Sequence, residues 1–157
     1  MKAAVDSNVL LDVLLADETF CERSKKLLNE YSEKSDLIIC DAAYAEIASQ
    51  FVSENEMKGF LSDTGIRFVG GNREVLHLAG SLWRESVKSR RSVIQCPGSG
   101  REMAITCESC GKPLRMRQRI LTDFVIGAHA IINAEVLLTR DRGFYRKYFK
   151  GLRIVEP

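Results

Sequence analysis

Residues 119–145, RILTDFVIGAHAIINAEVLLTRDRGFY, decide how this chain folds. The stretch reads as a helix, a tight turn, a short buried strand and a carboxylate at the strand's end. Thr122 is a candidate N-cap, and Asp123 falls in the first helical turn, where a negative charge offsets the positive end of the helix dipole. Phe124, Ile126, Ile131 and Ile132 supply an apolar stripe. Gly127, Ala128 and Ala130 are small enough to let another element pack closely. Val136, Leu137 and Leu138 then make a short apolar strand, with Asp141 beyond it and a turn at Gly143-Phe144-Tyr145. In open α/β sheets chemistry gathers beyond the carboxyl ends of the strands. Asp123 and Asp141 can therefore face one crevice. The structural alternative is a helix-start charge and a turn residue.

The same grammar recurs upstream. Lys2-Ala3-Ala4-Val5 reads as a buried strand ended by Asp6, with Ser7 and Asn8 as caps of a helix beginning at Val9. Asp12, one to two turns on, reads as peripheral. A helix over 17–33 leads to a second strand at Leu37-Ile38-Ile39-Cys40. Asp41 is read as the cap of the following helix, which carries Glu46. A helix over 55–63, a strand at 66–69, a Gly70-Gly71 turn and a long helix from Arg73 to Lys88 follow. Residues 151–155 read as a last strand. About five strands alternating with helices imply an α/β fold with a short, mainly parallel sheet covered on both faces.

The chain has 157 residues, 45% hydrophobic and 28% charged, which suits one domain (1–157) with a real core. No apolar run approaches the roughly 20 residues of a membrane span, and the N-terminus makes a poor signal peptide. The expected location is the cytoplasm, where five cysteines are not expected to form structural disulfides. Cys21 and Cys40 read as buried. Charge is uneven. Residues 1–83 hold 8 Lys+Arg against 14 Asp+Glu, net −6, and residues 84–157 hold 15 against 7, net +8. A half this basic points to a polyanion, with internal charge pairing as the alternative. Arg115, Arg117 and Arg119, which run into the Asp123 helix, are the first candidates for contacts with a polyanion's phosphates. Arg140 and Arg142, flanking Asp141, come next.

Asp6, Glu46, Asp123 and Asp141 occupy corresponding places in these units. Clustered carboxylates repel one another unless a cation lies between them. A hard ion such as Mg²⁺ or Mn²⁺ suits all-oxygen ligands and can keep several waters. Thr139 and Asn8 could orient such a group. His129 lies about 120° round the helix from Asp123, so neither it nor His77 is expected to be catalytic. Trp83 reads as core or interface.

VDSNVLLDVL at 5–14, AEI at 45–47, TDFVIGAHA at 122–130 and LLTRDRGFYRKYF at 137–149 together resemble PIN-domain ribonucleases, most of all toxins of the VapC type. The resemblance covers nearly the whole chain outside 89–118. It implies a three-layer α/β/α fold and Mg²⁺- or Mn²⁺-dependent cleavage of RNA. It places Asp6, Glu46, Asp123, Asp141 and Thr139 in the catalytic set, with Asp6, Asp123 and Asp141 on the metal. It also implies a homodimer, held inactive by an antitoxin protein. Asp41 departs from the Ser or Pro common in that family. An endonuclease of RNA maturation and a non-catalytic RNA-binding module are the other readings.

Residues 89–118 break the strand–helix alternation and read as an insertion. Cys96-Pro97-Gly98-Ser99-Gly100 and Cys107-Glu108-Ser109-Cys110-Gly111 resemble the two knuckles of a zinc ribbon, but Ser99 stands where the fourth cysteine belongs. Two outcomes stay open. Cys96, Cys107 and Cys110 could hold Zn²⁺ with a fourth ligand such as Glu102. Otherwise the ribbon has lost its metal, the outcome favoured because structural zinc sites seldom lack a fourth protein ligand.

Overall fold

A computed structural model describes residues 1–88, 94, 95, 102–112 and 121–157, with the backbone alone at 94, 95 and 102. Five parallel strands form the sheet: β1 (Lys2–Val5), β2 (Asp36–Ile39), β3 (Arg67–Phe68), β6 (Val136–Leu138) and β7 (Ile154–Val155), in the order β3-β2-β1-β6-β7. A separate antiparallel pair, β4 (Ile94–Gln95) and β5 (Glu102–Met103), lies within the insertion. The helices are α1 (Ser7–Leu14), α2 (Cys21–Lys34), α3 (Asp41–Ala48), α4 (Glu54–Thr64), α5 (Arg73–Lys88), α6 (Leu121–Asn133) and α7 (Arg142–Tyr148). The expected α/β architecture is present, and its main sheet is wholly parallel.

The central strands are short apolar runs because both of their faces are covered. Ala3, Ile38, Ile39, Val136, Leu137 and Leu138 have no measurable exposure. The chain starts in the middle at β1, winds out to β3, then returns to β6 on the other side of β1. The strand order thus reverses between β1 and β6. Their register, Val5 opposite Leu138, brings the two carboxyl ends level.

Capping chemistry sets several boundaries. Ser53 accepts the Glu56 amide at the start of α4, and Gly65 ends that helix in the left-handed region at φ 67°. Thr122 lies inside α6, one residue past its first, so it is not the expected cap. The expected turn at Gly143-Phe144-Tyr145 is instead α7, capped by the Asp141 side chain, which accepts the Phe144 amide at 3.0 Å. Helix α7 turns Phe144 and Tyr145 into the core, where their rings and those of Phe124, Tyr148 and Phe149 pack together. Gly127 makes this possible: a Cβ there would fall 2.5 Å from Phe149 Cζ. Cys40 is buried, which pushes its thiol up to about 11; Cys21, expected to be buried as well, is only partly so. Among the described residues no helix is long and apolar enough to cross a membrane.

Candidate active site

The site is built where β1 and β6 end side by side. The Asp6 amide continues the ladder by donating to the Leu138 carbonyl at 3.0 Å, so Asp6 and Thr139 leave adjacent strands together. Three donors converge on Asp6 Oδ2: Thr139 Oγ1 at 2.6 Å, Asn8 Nδ2 at 2.8 Å and the Tyr145 hydroxyl at 3.0 Å. Asn8 Nδ2 also donates to Thr139 Oγ1, and Thr139 Oγ1 accepts the Asp141 amide at 3.0 Å. Asn8 Oδ1 accepts the Arg140 amide. Asp6 is therefore a fixed carboxylate with one oxygen saturated by neutral donors.

Its other oxygen, Oδ1, faces Ser7 Oγ at 3.3 Å, and that hydroxyl also hydrogen-bonds Glu46 Oε2. Ser7 thus stands between two acids. The expectation that Ser7 and Asn8 cap a helix from Val9 gives way to this arrangement. The helix begins at Ser7, and both polar side chains serve the carboxylates. Burial raises the Asp6 pKa. The Thr139 and Tyr145 hydroxyls and the Asn8 amide oppose that rise, and the Glu46 charge adds to it. Tyr145 is held well above its ordinary value, first by burial, then by the charge of Asp6, with the charges of Asp123 and Asp141 acting alongside. The charges of Asp6, Asp123 and Asp141 thus all bear on one buried phenol, and Glu46 lies across Ser7 from Asp6.

Tyr145 and Asp12 were not among the sequence candidates. Asp12, expected to be peripheral, is 2% exposed; it accepts Ser24 Oγ at 2.6 Å and pairs with Arg140 Nη1 at 3.1 Å. Arg140 also stacks over Phe20, and Arg142 pairs with Glu156 at 3.0 Å. Both guanidinium groups flank Asp141 as expected, yet each has a partner within the chain. Arg115, Arg117, Arg119 and Cys96 lie outside the described residues. Asp41 is not a side-chain cap: its carboxylate accepts the Gly71 amide at 2.6 Å and ties the Gly70-Gly71 loop to α3. His129 is buried in α6, where loss of solvation lowers its pKa. Trp83 is partly exposed on α5.

Among the described residues no three His, Cys, Asp or Glu side chains close in tightly enough to grip an ion by themselves. The donor set is nonetheless all oxygen, and Asp6 is a buried carboxylate whose charge a cation would favour. Those features fit a hard ion held through few protein atoms and a shell of water. A cavity of about 300 Å³ lies away from these acids, between α1, α2 and α4, and is lined by Leu10, Val13, Leu28, Leu37, Phe60 and Ile66 among others.

No protein-family model and no curated protein matches the chain. Solved structures do share its fold. A VapBC2 complex from Rickettsia felis, bound to a DNA fragment from its promoter, is 16% identical with a TM-score of 0.60, over 99% of this chain and 98% of that one. A toxin–antitoxin complex from Klebsiella pneumoniae is 17% identical with a TM-score of 0.58, over 98% and 95%. VapBC-1 from nontypeable Haemophilus influenzae is 16% identical with a TM-score of 0.57, over 99% and 98%. The chain has, end to end, the PIN-like fold of these structures.

Proposed function

We propose that the protein is a Mg²⁺- or Mn²⁺-dependent endoribonuclease and the toxin of a toxin–antitoxin pair. The observation that carries this reading is the fixed, buried Asp6 at the strand-order reversal, with the charge of Glu46 acting on it and those of Asp123 and Asp141 acting on the Tyr145 hydroxyl bonded to it. Support for the toxin role comes from the neighbours in fold, which are toxin–antitoxin complexes. Asp6, Asp123 and Asp141 would hold the ion, which when bound supplies Lewis acidity for phosphodiester hydrolysis. Thr139, Asn8 and Tyr145 hold Asp6 Oδ2 in place and leave Oδ1 turned toward Ser7. Glu46 would accept the proton, and the hydrogen bond from Ser7 to its Oε2 supports that role. The basic second half of the chain favours RNA as the polyanion, and an antitoxin protein and a second copy of the chain are its proposed partners.

Asp6→Asn and Asp141→Asn are expected to abolish divalent-dependent cleavage of RNA while the protein stays folded. Asp6→Asn should also raise the melting temperature of the metal-free protein, because it removes a buried charge and its repulsion of Glu46. If both variants cleave RNA like the wild type, the site is misassigned. Expression with and without a small neighbouring gene for a DNA-binding protein separates a toxin from an RNA-maturation enzyme, since only the toxin should need that partner for growth.

A further inference from the structure

Several serine hydroxyls in this fold turn back on the chain behind them. Ser32, Ser35, Ser49 and Ser86 each donate to a main-chain carbonyl three or four residues earlier. Ser7 cannot do so. It is the first residue of α1, and strand β1 lies just behind it, so no helical carbonyl is in place to accept. Its hydroxyl, on a residue only 5% exposed, instead reaches Glu46 Oε2 on α3, 39 residues away in sequence.

The same hydroxyl lies 3.3 Å from Asp6 Oδ1. It carries one hydrogen, and an ionised carboxylate only accepts, so it donates to one acid at a time. A separation of 3.3 Å is beyond the usual span of an O–H···O bond, about 2.5–3.0 Å. Glu46 is the nearer acid, and it takes the hydrogen. Among the described residues no other group donates to the Glu46 carboxylate, so Ser7 anchors Oε2 and leaves Oε1 to accept. Asp6 Oδ2 is already held by Thr139, Asn8 and Tyr145. Ser7 therefore orients the second acid and adds little to the hold on the first.

We propose that Ser7 is a positioning residue for RNA cleavage: its hydroxyl holds Glu46 by Oε2 so that Oε1 can take a proton from the attacking water. The proposal rests on the nuclease reading above and adds the residue that sets one acid against the others. Ser7 touches neither ion nor substrate in this role and acts only through Glu46. Helices α1 and α3 pack against each other, so the hydroxyl bridges two rigid elements, and such elements hold a side chain more closely than a loop does.

The test measures kcat and KM for Mn²⁺-dependent cleavage of a mixed-sequence RNA pool by the full-length protein and its variants, with melting temperatures to confirm folding. Ser7→Ala should lower kcat about 10–100-fold, part of what a positioned base contributes, and leave KM within about twofold. Ser7→Thr keeps the hydroxyl and should recover most of the rate. In a Glu46→Gln background, Ser7→Ala should lower kcat by less than about twofold more, because the two changes remove one function. Mn²⁺ affinity of the RNA-free protein, followed by electron paramagnetic resonance, should fall by less than the roughly 10–100-fold seen when a residue supporting a metal ligand is lost. An unaltered kcat in Ser7→Ala, an equal loss in both backgrounds, a folded Ser7→Thr as slow as Ser7→Ala, or loss of Mn²⁺ binding overturns the proposal while the nuclease reading stands. Wild-type protein that cleaves no RNA overturns the nuclease reading, and this role of Ser7 with it.

Discussion

Replacing Tyr145 with Phe removes one oxygen from the molecule and tests how Asp6 is held. The ring keeps its place, because Phe144 and Phe149 pack it at centroid distances of 5.0 and 6.0 Å. What is lost is the hydrogen bond from the phenol to Asp6 Oδ2 at 3.0 Å, between groups that are 1% and 4% exposed. Hydrogen bonds to buried charged groups contribute about 1.5–3 kcal/mol. Asp6 retains Thr139 and Asn8, so a loss of about 2 kcal/mol is expected. For a chain of this length that lowers the melting temperature by roughly 4–8 °C. Urea unfolding in a chelator at pH 7 measures it, and a descending pH series identifies its cause. Burial raises the folded-state pKa of Asp6 above its unfolded value, so the folded protein binds the proton more tightly and gains stability from this group as pH falls through that pKa. The phenol donates to the charged form and opposes the rise. Its removal should cost most above the Asp6 pKa and less below it, where a neutral pair contributes about 1 kcal/mol or less. Tyr145 itself stays protonated throughout, since its pKa is held well above the ordinary tyrosine value. A penalty under about 0.5 kcal/mol at pH 7, or one that does not change down the series, would refute the account.

Two further substitutions probe the frame around the site. Gly127→Ala improves helix propensity by about 1 kcal/mol, yet its methyl meets the Phe149 ring, which is 2% exposed and hemmed in by Phe124, Phe144 and Tyr145. A net loss of about 1–3 kcal/mol in urea unfolding is expected, and a gain would show that the aromatic cluster yields easily. Arg140→Ala leaves Asp12, 2% exposed, with only Ser24 beside it. The guanidinium is one-third exposed, so a loss of about 1–3 kcal/mol is expected, largely recovered when Asp12→Asn is added; simple additivity of the two changes would contradict the pairing.

The sheet and its acids were readable because their signals are local. An apolar run of three or four residues ended by an acid marks a buried parallel strand and its carboxyl end; the runs of β1 and β2 follow that pattern, and β6 follows it with Thr139 and Arg140 before its acid. Helix α7 was hidden by Gly143 and by its length of 7 residues. The signal that could have found it is the spacing of Phe144, Tyr145, Tyr148 and Phe149, two pairs four residues apart on one helical face. Ser7, read only as a helix cap, misled for a different reason, whereas Asn8 was also read as orienting a group near Asp6 and does so. A polar side chain just past a strand looks the same in sequence whether it caps a helix or orients a carboxylate, and only the return of the chain at Thr139 decides between them.

Asp6 and Asp12 show most plainly what sequence cannot supply. Asp6 precedes α1 and Asp12 lies within it, both are nearly sealed from solvent, and nothing local distinguishes their fates. Asp12 receives a cation of its own, Arg140, brought from the far end of the chain by the β1–β6 pairing. Among the described residues Asp6 receives neutral donors, and the charge of another acid, Glu46, adds to the rise in its pKa. A buried carboxylate with a guanidinium partner is balanced and belongs to the frame. One held by hydroxyls and an amide, beside a further acid, is oriented without being neutralised, and on the proposed reading a cation from outside the chain balances it. The same fold-level contact that gives Asp12 its guanidinium leaves Asp6, among the described residues, with neutral donors, and on the proposed reading Asp6 is the acid that meets the ion.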